Sequence, residues 1–183
     1  MLHNEKELIE RITRGEIELF AHIAEHYAQA VHTLVIRIVG SREDAEELTQ
    51  DVFVRVFEHL RFFNFKSSFS TWLYRIAYNH AISFARHKRQ LLYVIDENRL
   101  RKVGDDEVEQ MEATADNEQQ IEALARAINR LDAEERALIT LFYYKERSVA
   151  ECAKIMSQSE NNIKVRLHRI RKKLYILLQD ETK

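Results

Sequence analysis

The sequence predicts an all-α protein, on three observations. Its 183 residues include no proline and only three glycines, Gly15, Gly40 and Gly104. Little therefore interrupts a helix, and hairpin turns lack their usual residues. Apolar residues recur at three- and four-residue spacing along most of the chain, the period of a helix with one buried face. Hydrophobic residues make up 45% of the total, enough for packed cores and too many for general disorder.

Leu8–Val39 reads as two helices meeting near Arg14–Gly15, with Phe20, Ile23, Tyr27, Val31, Leu34 and Val35 supplying an apolar face. Gly40 can close the second as a left-handed cap. Ser41 starts another helix, with Asp44 three residues on resembling a capping box that uses an aspartate. From Ala45 the positions Leu48, Val52, Val56 and Leu60 repeat at helical spacing and leave Glu47, Gln50, Asp51, Val54 and Glu58 facing outward. Phe62–Ser68 is a polar-aromatic loop. The next helix begins near Ser68–Ser70, carries Trp72, Leu73, Ile76 and Ala77, and ends in the basic run Arg86–Arg89. Trp72 and Ile76 read as core packing.

Composition then changes. Asp96–Asn117 is rich in charge and amides and has no sustained apolar stripe, so it reads as a flexible acidic linker. From Val103 through Glu118 there are seven acids and no Lys or Arg. A helix through Ile121, Leu124, Ala125 and Ile128 should follow and end before Leu131. Asp132 caps the next one, with Glu135 at the capping-box position and Leu138, Leu141 and Phe142 as its buried side. Ser148–Leu178 then reads as a short helix, a polar break at Ser157–Ser159 and a long basic helix. At about 100° per residue, Ile163, Leu167, Ile170, Leu174 and Leu177 fall on one stripe. Asn161, Lys164, His168, Arg169 and Lys172 land opposite, with Arg166, Arg171 and Lys173 on the flanks. Two helices joined by a tight turn form a helix-turn-helix, whose second helix suits the DNA major groove.

The architecture expected is thus two small helical domains, residues 1–95 and 118–183, joined by an acidic linker over 96–117. The formal charge of −2 hides segregation, because Lys164–Lys173 carries six Lys or Arg and no acid. A local basic face of this kind points to nucleic acid whatever the average charge. Cys152 is the only cysteine, which rules out an intrachain disulfide and suits a reducing compartment. No apolar run reaches a membrane span and Met1–Glu10 is unlike a signal peptide, so a cytoplasmic protein is expected. His22-Ile23-Ala24-Glu25-His26 fits the H-x-x-E-H pattern of some zinc proteases, but no third ligand is placed nearby. No P-loop, dinucleotide fingerprint or nucleophile elbow occurs. No catalytic residues, metal or cofactor are expected.

Three stretches in this order, Asp44–Phe57 (DAEELTQDVFVRVF), Phe69–Asn79 (FSTWLYRIAYN) and Asn162–Leu174 (NIKVRLHRIRKKL), resemble a bacterial RNA polymerase sigma factor of the small extracytoplasmic-function type. The resemblance covers roughly Phe20–Arg89 and Glu118–Leu178. It implies a non-enzymatic protein that binds core RNA polymerase, recognises the −10 and −35 promoter elements and helps melt DNA. Residues 1–95 would be region 2 and residues 118–183 region 4. By the resemblance, Glu47, Gln50, Asp51 and Arg55 dock on the clamp-helix coiled coil of the polymerase.

Phe63, Asn64, Lys66, Ser67 and Ser68 would line the pocket for a flipped −10 base. Asn79 would sit near the upstream edge of that element, and Arg86, Lys88 and Arg89 would hold backbone. Stacking rings and a cationic groove are what single-stranded capture demands. This loop lacks the glycine often found there, and Ser83 stands where an aspartate is common. At −35, Lys164, Val165, His168 and Arg169 would meet base edges while Arg166, Arg171 and Lys173 serve phosphates. Ser157 replaces the usual turn glycine. Partners implied are core polymerase and promoter DNA, duplex at −35 and single-stranded at −10, with room for an anti-sigma factor. The rival reading is a helix-turn-helix regulator that acts without polymerase, in which Phe62–Arg89 is plain core.

Overall fold

The computed structural model describes residues 4–88, 95–107 and 118–181, and every regular element among them is helical. Two compact units divide the chain, Met1–Lys88 with Lys154–Ser157, and Arg89–Ala153 with Gln158–Lys183. Among the described residues no helix is long and apolar enough to cross a membrane.

The first half of the chain forms α1 (Glu5–Thr13), α2 (Phe20–Val39), α3 (Arg42–His59) and α4 (Phe69–His87), with short 3-10 turns at Ile17–Leu19 and Leu60–Phe62. Helices α2, α3 and α4 pack on one another. Their buried faces are the ones the spacing marked: Ile23, Val31, Leu34 and Val35 from α2, Leu48, Val52 and Val56 from α3, Leu73 and Ala77 from α4. Thr49 is buried too, because its hydroxyl donates to the Ala45 carbonyl at 2.6 Å and needs no water. Gly40 closes α2 in the left-handed region at φ 76°, its N–H donating to Ile36. Ser41 then caps α3 by accepting from the Asp44 N–H, and Ser68 caps α4 by accepting from the Thr71 N–H.

The second half carries α5 (Glu97–Lys102), α6 (Glu118–Asn129), α7 (Ala133–Ile139), α8 (Val149–Met156) and α9 (Glu160–Glu181). Asp132 and Glu135 form a reciprocal capping box at the start of α7. Buried Arg136 donates to the Leu131 carbonyl at 2.6 Å, tying the α6–α7 corner together. After Ile139 the helix widens into a π turn, Thr140–Tyr144, which buries Leu141 and leaves Tyr143 and Tyr144 outside. Ile121, read from spacing as part of an apolar face, is 61% exposed; Ile128 is buried and Leu124 half-buried.

Of the segment expected as a flexible linker, residues 108–117 lie outside the described residues, and Glu97–Lys102 form α5 instead. Leu100 and Val103 are buried against Ile176 of α9, with Ile95 and Tyr175 alongside. Three apolar residues are too few to make a stripe in a sequence, yet enough to seat a short segment on a waiting helix.

Ser157 makes the turn between α8 and α9 in the left-handed region, at φ 55°. The Gln158 N–H closes this turn onto the Ala153 carbonyl at 2.9 Å, and Ser159 caps α9 by accepting from Asn162. A serine there bears a steric cost that glycine escapes. Ser157→Gly should therefore stabilise the helix-turn-helix by about 0.5–1 kcal/mol, read as a rise in the midpoint of its denaturation.

Candidate nucleic-acid and polymerase interfaces

Helix α3 buries one face and offers the other to solvent. Glu47, Gln50, Asp51 and Arg55 are all exposed on it, spaced so that they share one side. Between them Val54 and Phe57 are exposed as well, the Phe57 ring standing edge-on to Phe20 at 5.1 Å between centroids. Apolar groups left partly open among polar ones have the composition of a surface used for docking. Phe57 follows the outward Val54 by three residues, helical spacing that puts it on the same face without marking it as a contact residue. Asp51 also reaches His80 of α4 at 3.4 Å.

The loop before α4 is built differently from the expectation. Phe63 is only 8% exposed, its ring packed at 4.7 Å from Phe65, 5.6 Å from Phe69 and 5.2 Å from Trp72. It is a core residue, and its ring face is already taken. The open aromatics are its neighbours. Phe62 is 63% exposed with the Arg61 guanidinium 4.7 Å from its centroid. Phe65 is held outward by a left-handed backbone at φ 58°. Asn64 shapes this bend by accepting from the Lys66 N–H at 3.2 Å, an Asx turn. Lys66 and Ser68 are exposed, and Ser67 is half-buried. Trp72 and Ile76 are both half-buried, with the indole against Phe63 and Phe69.

Along α4, Arg75, Asn79, Ser83 and Arg86 make one exposed line. Arg75 completes it four residues before Asn79, and helical spacing alone would have found it. Lys88 is exposed but donates to Asp44 at 2.6 Å, which holds the Asp44 carboxyl below its ordinary pKa. Arg89 lies outside the described residues.

In the helix-turn-helix, Ser148 and Glu151 cap α8 reciprocally. Cys152 is buried, with its thiol pushed up to about 12 by burial, so it is inert as a nucleophile. On α9, Ile163, Leu167, Ile170, Leu174 and Leu177 are all buried. Lys164, Val165, His168 and Arg169 are exposed on the far side, Val165 at 59%. An aliphatic side chain set among cations is the kind of group that touches a thymine methyl.

The three flanking cations are placed otherwise. Arg166 pairs with Glu134 at 3.1 Å, and Arg171 donates to the Tyr143 hydroxyl at 2.7 Å. Lys173 pairs with Glu135, a carboxylate only 7% exposed. Burial pushes the Glu135 pKa up while the Lys173 hydrogen bond pulls it back. All three cations are half-buried and tie α9 to α7 and the π turn. No spacing rule could foresee this, since the acids that hold two of them are more than 30 residues away.

His22, Glu25 and His26 are exposed on α2. Among the described residues no three His, Cys, Asp or Glu side chains gather where a metal could bind.

Two family models match the chain over the stretches that carry these helices. The model described as Sigma-70 region 2 matches residues 23–90, and that described as Sigma-70, region 4 matches residues 121–174. The ECF RNA polymerase sigma factor SigW of Bacillus subtilis is 29% identical over 96% of this chain and 97% of its own length. The ECF RNA polymerase sigma-E factor of Escherichia coli K12 is 30% identical over 90% of this chain and 88% of its own. Among solved structures, CnrH in complex with the cytosolic domain of CnrY has the same fold, with a TM-score of 0.67 at 21% identity over 96% of this chain and 97% of that one. RpoE of Bartonella quintana, solved with the anti-sigma factor NepR, gives a TM-score of 0.64 at 21% identity, covering 87% and 96% of the two chains. With the two sigma-70 regions in order on an all-helical chain, this protein belongs to the extracytoplasmic-function family of RNA polymerase sigma factors.

Proposed function

We propose how this sigma factor divides its work among the surfaces described above. As a member of the family it is a non-enzymatic subunit that directs RNA polymerase to promoters. In this reading residues 1–95 bind core polymerase and the −10 element, and residues 118–183 bind the −35 element. The open face of α3, with Glu47, Gln50, Asp51 and Arg55 around Val54 and Phe57, docks on polymerase. Phe65 and Phe62, rather than Phe63, stack on unpaired −10 bases. Asn64, Lys66, Ser67 and Ser68 shape the loop, and Asn79, Arg86, Lys88 and Arg89 follow the strand beside Arg75. On α9, Lys164, Val165, His168 and Arg169 read duplex, while Arg166, Arg171 and Lys173 set the helix in place and reach phosphates only if their pairs open.

The observation that carries this reading is the pairing, on one chain, of an uncovered apolar-polar helix face with a second helix whose exposed side is cationic. A free-standing helix-turn-helix regulator needs the second and leaves the first unexplained. Relatives solved with anti-sigma partners support an inhibitory partner for this chain too. The test is run-off transcription with sigma-free core polymerase and genomic template: discrete start sites should appear only when this protein is added.

Substitutions on each of the two surfaces sharpen the assignment. Gln50→Ala with Asp51→Ala should weaken binding to core polymerase by about tenfold, as expected for a few contacts in a polar interface, with an unchanged helical circular dichroism spectrum. Lys164→Ala or Arg169→Ala should weaken promoters that depend on the −35 element by about 1–3 kcal/mol, read from holoenzyme binding to the cognate promoter. Equal affinity of mutant and parent would remove either residue from the base-reading set.

A further inference from the structure

The segment that leads away from α4 lies on the very helix assigned to read DNA. Arg99 donates to Asp180 through two nitrogens, at 3.1 and 2.7 Å. Leu100 and Val103 are buried against Ile176. Asp105 stands 3.0 Å from His168 Nε2 and 3.0 Å from Lys172 Nζ. The partners 180, 176, 172 and 168 are one helical turn apart, so the segment runs antiparallel along a single stripe of α9. Leu100 and Arg101 share one groove with Lys164, Val165, His168 and Arg169.

We propose that Ile95–Glu107 is an internal latch that holds α9 off DNA, with Asp105 in the place of a backbone phosphate. The proposal rests on α9 being the DNA-reading helix. A carboxylate between an imidazole and an ammonium group uses the donors that a phosphate oxygen would use. The Lys172 hydrogen bond holds the Asp105 carboxyl below its ordinary pKa, so it stays charged at neutral pH. Each of these exposed pairs is weak alone. The apolar seat at Ile176 and the Arg99–Asp180 fork sit one and two turns beyond, and they raise the local concentration of the carboxylate. The latch therefore competes with DNA without blocking it permanently, and non-specific binding by the free chain is damped. Release needs only that the segment be drawn off α9.

The test uses the full chain and a fluorescein-labelled 30-base-pair duplex of fixed arbitrary sequence, followed by anisotropy at low salt. Asp105→Asn should bind it about three- to tenfold more tightly than the parent. Asp106→Asn removes the same charge from the neighbouring exposed residue and should gain much less. In the parent, added duplex should speed trypsin cleavage at Arg99, Arg101 and Lys102 severalfold, because DNA lifts the segment from its seat. Equal gains from the two substitutions, or cleavage that is unchanged or slowed by bound duplex, would overturn the latch alone. If Lys164→Ala with Arg169→Ala leaves duplex binding untouched in the Asp105→Asn chain, the DNA-reading role of α9 falls, and the latch with it.

Discussion

Replacing Phe63 with alanine should cost about 3–4 kcal/mol of stability in the first unit. The ring is almost wholly buried and meets Phe65, Phe69 and Trp72 within 6 Å, centroid to centroid. Deleting it loses the transfer free energy of the side chain and leaves a cavity under the indole that the rigid start of α4 cannot fill. Trp72 is the only tryptophan of the chain, so its fluorescence in a denaturant titration reports on this site directly. Phe65→Ala is the contrast. Its ring is 43% exposed and touches Phe63 and the Lys6 ammonium, so stability should fall by only about 1 kcal/mol while opening of −10 DNA by the holoenzyme weakens. A Phe63→Ala protein as stable as the parent would return Phe63 to the base pocket.

The second large effect is expected at Lys173. Lys173→Ala leaves Glu135 buried without its cation, and one-sided removal of a buried pair typically costs 3–5 kcal/mol. The Lys173 side chain keeps 19% of its exposure, so water relieves part of the penalty and about 2–3 kcal/mol is expected. The signature is faster amide exchange across α7 and α9 in Lys173→Ala. The double change Lys173→Met with Glu135→Gln should recover much of the loss, since no unpaired charge remains. If Lys173 served phosphate alone, its removal would weaken DNA binding and leave exchange in α7 unaltered.

Much of the fold was legible in the residues. The caps at Ser41, Ser68 and Asp132 and the left-handed stop at Gly40 all stand where local rules put them. The buried stripe of α9 follows from the 3.6-residue period alone, and so does the exposed set Lys164, Val165, His168 and Arg169. These features depend on neighbours within a turn or two, which the sequence displays side by side. The departures share another origin. Phe63 and Phe65 differ by two positions in a loop, where no period applies, and a left-handed backbone at Phe65 decides which ring faces water. Ile121 fits a helical stripe, yet among the described residues it stays exposed.

What the chain determined unaided is the order of every helix but α5, most of their buried and open faces and the family they spell, because capping and amphipathic period act over short range. Only the tertiary structure decided which open groups are spoken for. Glu135 lies 38 residues from Lys173, and Asp105 lies 63 from His168 and 67 from Lys172. A cation reads the same in sequence whether it faces solvent, a buried acid or a tethered carboxylate, since long-range pairing depends on where the backbone brings the partner.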